Sequence, residues 1–416
     1  MRLAALISLL LIFPTSTLKS QDTLRVMAYN ILNYSSTNYP TRYNDLKVIL
    51  AHVKPDVVIC SEVVNAAGAQ LLLDNAFNLA GIGTFSRATF IDGPDTDNSL
   101  FYNTSTVKFK SQNQITTTSG LRDITRYRIY DLITPSDTAW LNLFSLHLKA
   151  SSGFESDRLQ ECKDLCNYFS GLNSAQNIIV GGDFNFYNSS TETGFQWLTS
   201  TSCTEKLYDP INKIGNWHAN VAFKDVHTQS TRVLTEPDGG STGGLDDRFD
   251  FMFTNDNVNN GTNYVRYVNG SYTVLGNDAN HYNSAITDAP ANTAVPAPVA
   301  TALYNMSDHL PIYLDLAIGL TIGISEYSTF DKTTNVKWIN DGNLANDSRF
   351  IITADKAVST NVTVYDLTGK VCYAKALNLN EGENFFTIPS LNIQSGNYLL
   401  TIGNASNWNG CKFIVY

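Results

Sequence analysis

The segment VGGDFN, Val180 to Asn185, runs an apolar strand straight into two glycines, an aspartate and an asparagine. NIIV ahead of it is a short buried-strand signal, and Phe184 and Phe186 alternate with polar residues behind it, so Asp183 falls where a strand leaves the core. The pattern recurs along the chain. Asn30 ends TLRVMAYN, Glu62 follows VVIC, His147 lies in FSLHLKA, Asp250 in RFDFMF, and Asp308 with His309 precede LPIYLDLAI. Each residue alone has a plain structural reading, since an Asp or Asn after a strand is commonly a turn or cap residue. A set of carboxylates, amides and two histidines at successive strand exits is different, because those exits converge on one sheet edge in layered α/β folds. Such a set has the ingredients for metal-assisted hydrolysis of a phosphoester. A carboxylate and a carboxamide can hold Mg²⁺, which takes oxygen ligands and few of them from protein. A His oriented by an Asp can take the proton of an attacking water, while a second His and an Asn can hydrogen-bond the oxygens on which charge accumulates.

The elements that must position these residues can be read from periodicity. Leu24, Val26 and Ala28 alternate along a first strand that ends at Asn30. Tyr43, Leu46, Leu50 and Val53 recur at helical spacing until Pro55 and Asp56 stop them, and a second helix is expected from about Asn65 to Phe77. Between Thr84 and His147 the period changes to two, notably in RYRIYDLI and AWLNLFSLHL. FESDRLQECKDLCNYFSGL is helical, with Phe154, Leu159, Cys162, Leu165 and Phe169 on one face. The residues from there to Gly244 carry little pattern beyond NIIV, and Asn255 to about Tyr304 reads as a long loop rich in Asn, Ala and Pro. Strands outnumber helices and helices fall between strand runs, which predicts an α/β sandwich of two packed sheets with outer helices. Polar punctuation around Gly319 to Asn335 marks a boundary, after which only strands and turns follow, as in a small β-sandwich.

Composition narrows the setting. The 416 residues are 43% hydrophobic and 11% aromatic, enough for two globular domains. A net charge of −10 with only 16% charged residues lacks the basic stripe that gives tight nonspecific affinity for polyanions. A bound divalent cation can still supply positive charge locally to a phosphodiester. Residues 1–20 have the layout of a secretory signal peptide, with Arg2 ahead of an apolar run from Leu3 to Phe13, too short for a stable membrane span. The six cysteines show no zinc-ligand spacing. Cys162 and Cys166 are expected to face a core, and Cys372 with Cys411 to pair in an exported chain.

In order, AYNIL, PDVVICSEV, NSLFYN, FSLHLKA, GGDFN, RFDFMF and SDHLPI resemble the motif series of the endonuclease/exonuclease/phosphatase superfamily, the deoxyribonuclease I-like proteins, over residues 22–318. The resemblance implies a four-layer α/β/β/α sandwich. It implies that Asn30 and Glu62 bind a catalytic divalent metal, Mg²⁺ with Mn²⁺ or Ca²⁺ as alternatives, and that Asp308 lies beside it. Asp183 and Asn185 would hold the attacking water and the phosphoryl group, His309 steadied by Asp250 would serve acid-base chemistry, and His147 would bind phosphate or act on the leaving group. Asn98 and Arg158 fall at positions for substrate contact, Arg158 having a solvated helix charge as its other reading. The last residues, VTVYDLTGKVCYAKALNLNEGENFFTIP, LNIQSGNYLLTI and KFIVY, resemble the C-terminal sorting domain of the type IX secretion system, although Tyr416 replaces the usual terminal Lys. The organisation expected is therefore a signal peptide at 1–20, the catalytic domain at 22–318, a linker at 319–335 and a β-sandwich sorting domain at 336–416.

These readings imply a monomeric, secreted or surface phosphoesterase, exported through the periplasm and outer membrane by the type IX machinery. An endonuclease acting on nucleic acid leads. A phosphodiesterase or phosphatase for a small or lipid-linked phosphoester is the alternative, and a non-catalytic surface binding module is the rival from another class.

Overall fold

Leu24, Val26, Met27 and Ala28 are all buried along β1 (Asp22–Tyr34), a strand covered on both faces rather than one. The computed structural model describes residues 22–132, 139–172, 176–319, 334–338, 348–354, 356–366, 370–388, 396–403 and 408–415. The expected signal peptide lies outside the described residues, as does most of the expected linker. Two compact units divide at Gly319 and Leu320.

In the first unit β1 pairs in parallel with β2 (Val57–Val63), and between them α1 (Tyr43–Val53) buries Leu46, Ile49, Leu50 and Val53, the one-face spacing of an amphipathic helix. α2 (Ala66–Asn75) follows, capped by Asn65, whose side chain accepts from the Gly68 N–H at 2.7 Å. β3 (Phe85–Arg87), β4 (Asp97–Asn103), β5 (Val107–Ile115), β6 (Ile124–Asp131), β7 (Trp140–His147), α3 (Glu155–Ser170), β8 (Ile178–Asp183), α4 (Thr193–Leu198), β9 (Leu207–Tyr208) and β10 (Asp250–Asn255) come next. The unit ends with α5 (Asp256–Asn260), β11 (Val265–Tyr267), β12 (Thr273–Val274), α6 (Ala297–Met306) and β13 (Ile312–Ile318). One sheet has the order β11-β13-β1-β2-β4-β3 with β12 on β13, and the other runs β5-β6-β7-β8-β10-β9. The sheets pack face to face through β1 and β2 against β7, β8 and β10. Apolar side chains of α1, α2 and α6 join one core, and those of α3 and α4 join the other. The result is the four-layer α/β/β/α sandwich.

The structure departs from the periodicity at several places, and the expected loop from Asn255 to Tyr304 holds α5, β11, β12 and α6. α6 occupies the end of the expected long loop, because Pro296 precedes it and Pro298 sits in its first turn, where a missing N–H leaves no bond unmade. α3 buries Cys162, Leu165 and Phe169 as expected, but Phe154 is exposed and Leu159 half-buried, while Arg158 and Glu161 take buried positions that their polar partners make tolerable. Cys166 does not simply face the core but is bonded to Cys203 beyond α4, with Cα atoms 5.2 Å apart, whereas Cys162 stays free and buried.

The second unit contains β14 (Thr334–Trp338), β15 (Ser348–Ala354), β16 (Val358–Asp366), β17 (Val371–Leu379), β18 (Gly382–Ile388), β19 (Gly396–Gly403) and β20 (Trp408–Val415). They form the sheets β14-β15-β18 and β17-β16-β19-β20, around Ile352, Val362, Val364, Ile388, Leu400 and Ile402. The expected Cys372–Cys411 pair does not form: Cys372 is free, and its strand β17 lies at the opposite sheet edge from β20. Three strand spacings, roughly 14 Å, exceed the Cα separation of about 7 Å that a disulfide spans.

The Cys166–Cys203 bond closes a loop across 37 positions. A crosslink of that span stabilises by about 3–4 kcal/mol. Replacing both cysteines by alanine should therefore lower the denaturant-unfolding free energy of the first unit by that order, and an unchanged midpoint would refute the estimate.

Candidate active site

Strand direction brings the polar residues to one edge. β7 and β8 are parallel and end together, with His147 opposite Asp183 in register. β10 is antiparallel to β8, so its first residue, Asp250, also lies opposite Asp183. β1 and β2 are parallel, with Asn30 opposite Ser61 and one residue from Glu62. β13 runs antiparallel to β1, so Asp308 and His309, just before it, arrive at the same end.

The two glycines ahead of Asp183 permit this approach. A Cβ on Gly181 would come within 2.9 Å of Ile59 Cδ1 and 3.3 Å of Ala28 Cβ, both on the facing sheet. Gly182 has φ +140°, and a Cβ there would lie 2.0 Å from the Leu146 carbonyl oxygen. Asn185 and Glu62 also sit in left-handed backbone, at φ +53° and +60°. For Glu62 this costs about 1–2 kcal/mol, strain of the kind that concentrates at functional sites.

Asn30 is the hub of the cluster. Its amide nitrogen donates to Glu62 Oε1 at 2.9 Å and Asp183 Oδ2 at 3.1 Å, and lies 3.4 Å from His309 Nε2. Its oxygen accepts from the Leu32 N–H at 3.1 Å, so Asn30 presents donors rather than its oxygen to the carboxylates. Glu62 Oε2 accepts from the Asn33 N–H at 2.9 Å. His147 lies between Glu62 Oε1, 3.6 Å from Nδ1, and Asp183 Oδ2, 3.4 Å from Nε2. On the other side His309 Nδ1 is 2.7 Å from Asp250 Oδ2, and its Nε2 is 3.6 Å from Asp183 Oδ2. The Asn185 N–H donates to Asp183 Oδ1 at 3.0 Å, and its side-chain amide donates to the Leu148 carbonyl at 3.2 Å. Asp308 stands behind His309, its Oδ2 accepting from the Ser241 N–H at 2.7 Å and from Gln229 at 3.2 Å.

Burial sets the electrostatics. It pushes the Asp183 carboxyl up to about 7 although the His309 charge pulls the other way, and it raises Glu62 with help from Asp308. His147 is held well below the usual imidazole range by burial, reinforced by Arg122 and His309. Burial also opposes charge on His309, but Asp250, Asp183 and Asp308 outweigh it and hold that ring well above the usual range.

A divalent cation fits this donor set. One ligand atom each from Glu62, His147 and Asp183 lies within 4.8 Å of the others, and His147 Nδ1 is buried with no hydrogen-bond partner. Closely set, buried carboxylates next to an orphaned nitrogen are what a cation would complete. Asn30 would have to turn its amide over to add an oxygen.

The two candidates for substrate contact are placed differently: Asn98 lies on β4 level with the bulge of β2 that carries Glu62, between Ser99 opposite Cys60 and Asp97 opposite Val63, and Arg158 lies on α3. Asn98 is bonded through its amide nitrogen to the Asp123 carbonyl at 2.9 Å and through its oxygen to Ser145 at 2.9 Å. Arg158 is fully buried, paired with Glu192 at 2.6 and 3.0 Å and bonded to the Lys149 and Ser151 carbonyls. It fastens the segment after His147 instead of reaching the cluster. Gln229, which sequence reasoning passed over, lies at the centre, with its amide nitrogen 2.6 Å from His309 Nε2. It sits in the stretch without periodicity, so no pattern marked it. Arg122 was also missed; it bonds the Leu148 carbonyl at 3.0 Å and Asp95 at 3.0 Å and keeps 19% of its side chain exposed.

Residues 345–416 match the model of the Secretion system C-terminal sorting domain. That tail indicates export by the type IX route to the cell surface or extracellular space, and no helix among the described residues is long and apolar enough to cross a membrane. No curated protein matches the chain. Among solved structures the chain is similar to D. rerio TDP2 complexed with single strand DNA product, at 17% identity over 71% of this chain and 98% of that one, TM-score 0.46. It is similar to an endonuclease/exonuclease/phosphatase family protein from Bacteroides thetaiotaomicron, at 14% identity over 73% and 100%, TM-score 0.46. The human Nocturnin catalytic domain with bound sulfate anion aligns at 17% identity over 71% and 95%, TM-score 0.42.

Substituting Gly182→Ala tests the local argument, because the added methyl meets backbone on a φ that alanine avoids. A loss of at least about 3 kcal/mol in unfolding free energy is expected, and wild-type stability would show that β7 and β8 can part without penalty.

Proposed function

We propose that the first unit is a divalent-metal-dependent phosphoesterase, with endonucleolytic cleavage of nucleic acid as its leading activity. The observation that carries this reading is the convergence of Asn30, Glu62, His147, Asp183 and the His309–Asp250 pair on one sheet edge. Glu62 would hold the cation, with Asp183 and the unpartnered Nδ1 of His147 as further donors and Asp308 nearby, which leaves His147 Nε2 for the phosphate. When bound, such a cation polarises a phosphoryl oxygen and acidifies coordinated water. Mg²⁺ suits the oxygen donors, and Mn²⁺ or Ca²⁺ are the alternatives.

The chain's own groups then divide the work. Asp250 accepts from His309 Nδ1 and fixes the ring, so a proton moves at Nε2, the atom that faces Asp183 and Asn30. Asp183 and Asn185 orient the attacking water and the phosphoryl oxygens. His147 donates to phosphate, and Asn30 keeps Glu62 and Asp183 apart by giving each an N–H. The runner-up is a lipid-linked or small phosphoester. It draws support from apolar side chains on nearby loops: Leu121 precedes Arg122, Phe154 lies 3.9 Å under the Lys149 ammonium, and Leu234 is 72% exposed.

Hydrolysis of plasmid DNA, RNA, bis-(p-nitrophenyl) phosphate and phosphocholine vesicles should be measured in parallel, with Mg²⁺ and with EDTA. Metal-dependent nicking of DNA is the expected result. Cleavage of the vesicle lipid alone would move the assignment to the runner-up, and silence on all four would leave a binding module. Glu62→Gln and His309→Ala should each lower turnover about 10²–10³-fold while leaving the unfolding transition in place. Unchanged turnover in both would remove them from the machinery.

A further inference from the structure

A second His–Asp pair stands beside the cluster. His218 Nδ1 is 2.7 Å from Asp247 Oδ1, the same spacing as in His309–Asp250, yet the His218 side chain is 49% exposed while Asp247 keeps only 12%. The other histidines outside the cluster are used differently. His227 and His281 direct Nε2 to backbone carbonyls at 2.8–3.1 Å, and His52 lies on α1. His218 alone among the six combines a carboxylate partner with an open ring edge.

The pair is built onto the site. Asp247 lies across an isolated antiparallel bridge from Gln229, and Gln229 lies across another from His309. Each bridge spans about 5 Å between Cα atoms, so the backbones of Asp247 and His309 are separated by two such steps. Gln229 spends its amide on His309 and Asp308, which makes the ladder continuous from the cluster to Asp247. On its other side His218 leans on Tyr187, two residues beyond Asn185. The rings are 5.1 Å apart and edge-to-face, and the His218 N–H donates to the Tyr187 carbonyl at 3.1 Å. Trp217, fully buried, anchors the backbone just before it. A surface histidine held by a buried carboxylate, an aromatic ring and a pinned backbone has lost rotamer freedom that an ordinary surface side chain keeps.

We propose that His218, positioned by Asp247, contacts a second phosphate of the substrate, adjacent to the one that is hydrolysed. Asp247 accepts from Nδ1 and fixes the ring, while the charged phosphate accepts from Nε2 on the open side. This deepens the phosphoesterase reading and rests on it for the identity of the substrate: a ligand with phosphates in series, as in a polynucleotide, would use both subsites. A single small phosphodiester would use one.

The test compares thymidylyl-thymidine with the same dinucleotide carrying an added 5′ or 3′ terminal phosphate. For the full-length wild-type chain with Mg²⁺, KM should fall about 10-fold on adding one of the terminal phosphates, a factor set by one charge-assisted hydrogen bond. In His218→Ala that advantage should vanish while kcat and KM for the unphosphorylated dinucleotide stay unchanged, and Asp247→Asn should reproduce part of the loss. Equal loss on both substrates, or an advantage retained in His218→Ala, overturns the proposal. A second measurement is independent of turnover: the His218 ring resonances of ¹⁵N-histidine-labelled chain are followed in EDTA with thymidine 3′,5′-bisphosphate and with thymidine. A shift with the bisphosphate alone supports the contact even where no dinucleotide is cleaved, in which case the phosphoesterase reading fails by itself. Absence of any shift, with cleavage intact, overturns the contact and leaves that reading standing.

Discussion

The distance between β7 and β8 at their carboxyl ends is the constraint on which the rest of the site depends. Only a residue without a side chain can occupy position 182, because the Leu146 carbonyl oxygen stands where a Cβ would be. That contact sets His147 against Asp183, and Gly181 then lets β1 and β2 close on β8 from the facing sheet. Without the second approach Asn30 would not reach Asp183, and the cluster would be two half-sites on two sheets. Parallel strands that end together and antiparallel strands that begin there do the rest.

Bringing Glu62, Asp183, Asp250 and Asp308 together under little solvent is electrostatically unfavourable, as the raised Asp183 and Glu62 carboxyls show. Two devices offset it: the Asn30 amide placed between Glu62 and Asp183, and the His309 charge among Asp250, Asp183 and Asp308. The surrounding loops are held by buried arginines. Arg158 pairs with Glu192, Arg232 with Asp238 and Arg248 with Asp209, at 2.6–2.8 Å, and each also donates to backbone carbonyls. Breaking one such pair by removing a partner costs about 3–5 kcal/mol. Loops without regular structure therefore gain a fixed shape, and Asp308, Gln229 and Ser241 keep their places.

What the sequence disclosed follows from how local each signal is. Strand ends carrying Asn30, Glu62, His147, Asp183, Asp250 and His309 were legible because a short apolar run and the polar residue at its end lie within a few positions of each other. The β13 strand and α1 were legible for the same reason. Arg158 was not, because a charge on a helix looks solvated until Glu192, 34 positions away, is known to face it. Gln229 and the Cys166–Cys203 bond depend on long-range partners in a stretch with no period. α6 was hidden by the prolines that begin it.

The acidic chain and the phosphoesterase activity proposed for its cluster fit together once the charges are located. A net charge of −10 disfavours a polyanion at long range, so affinity has to come from few, placed groups rather than from a basic surface. At the cluster the buried carboxylates invite a cation, which reverses the sign of the local field for an incoming phosphate. Arg122, bonded to Leu148 beside His147 and still partly exposed, adds a fixed positive charge at the same place. Recognition built this way is short-ranged and depends on the cation. An exported chain meets divalent ions outside the cell, where such a site can be completed after secretion.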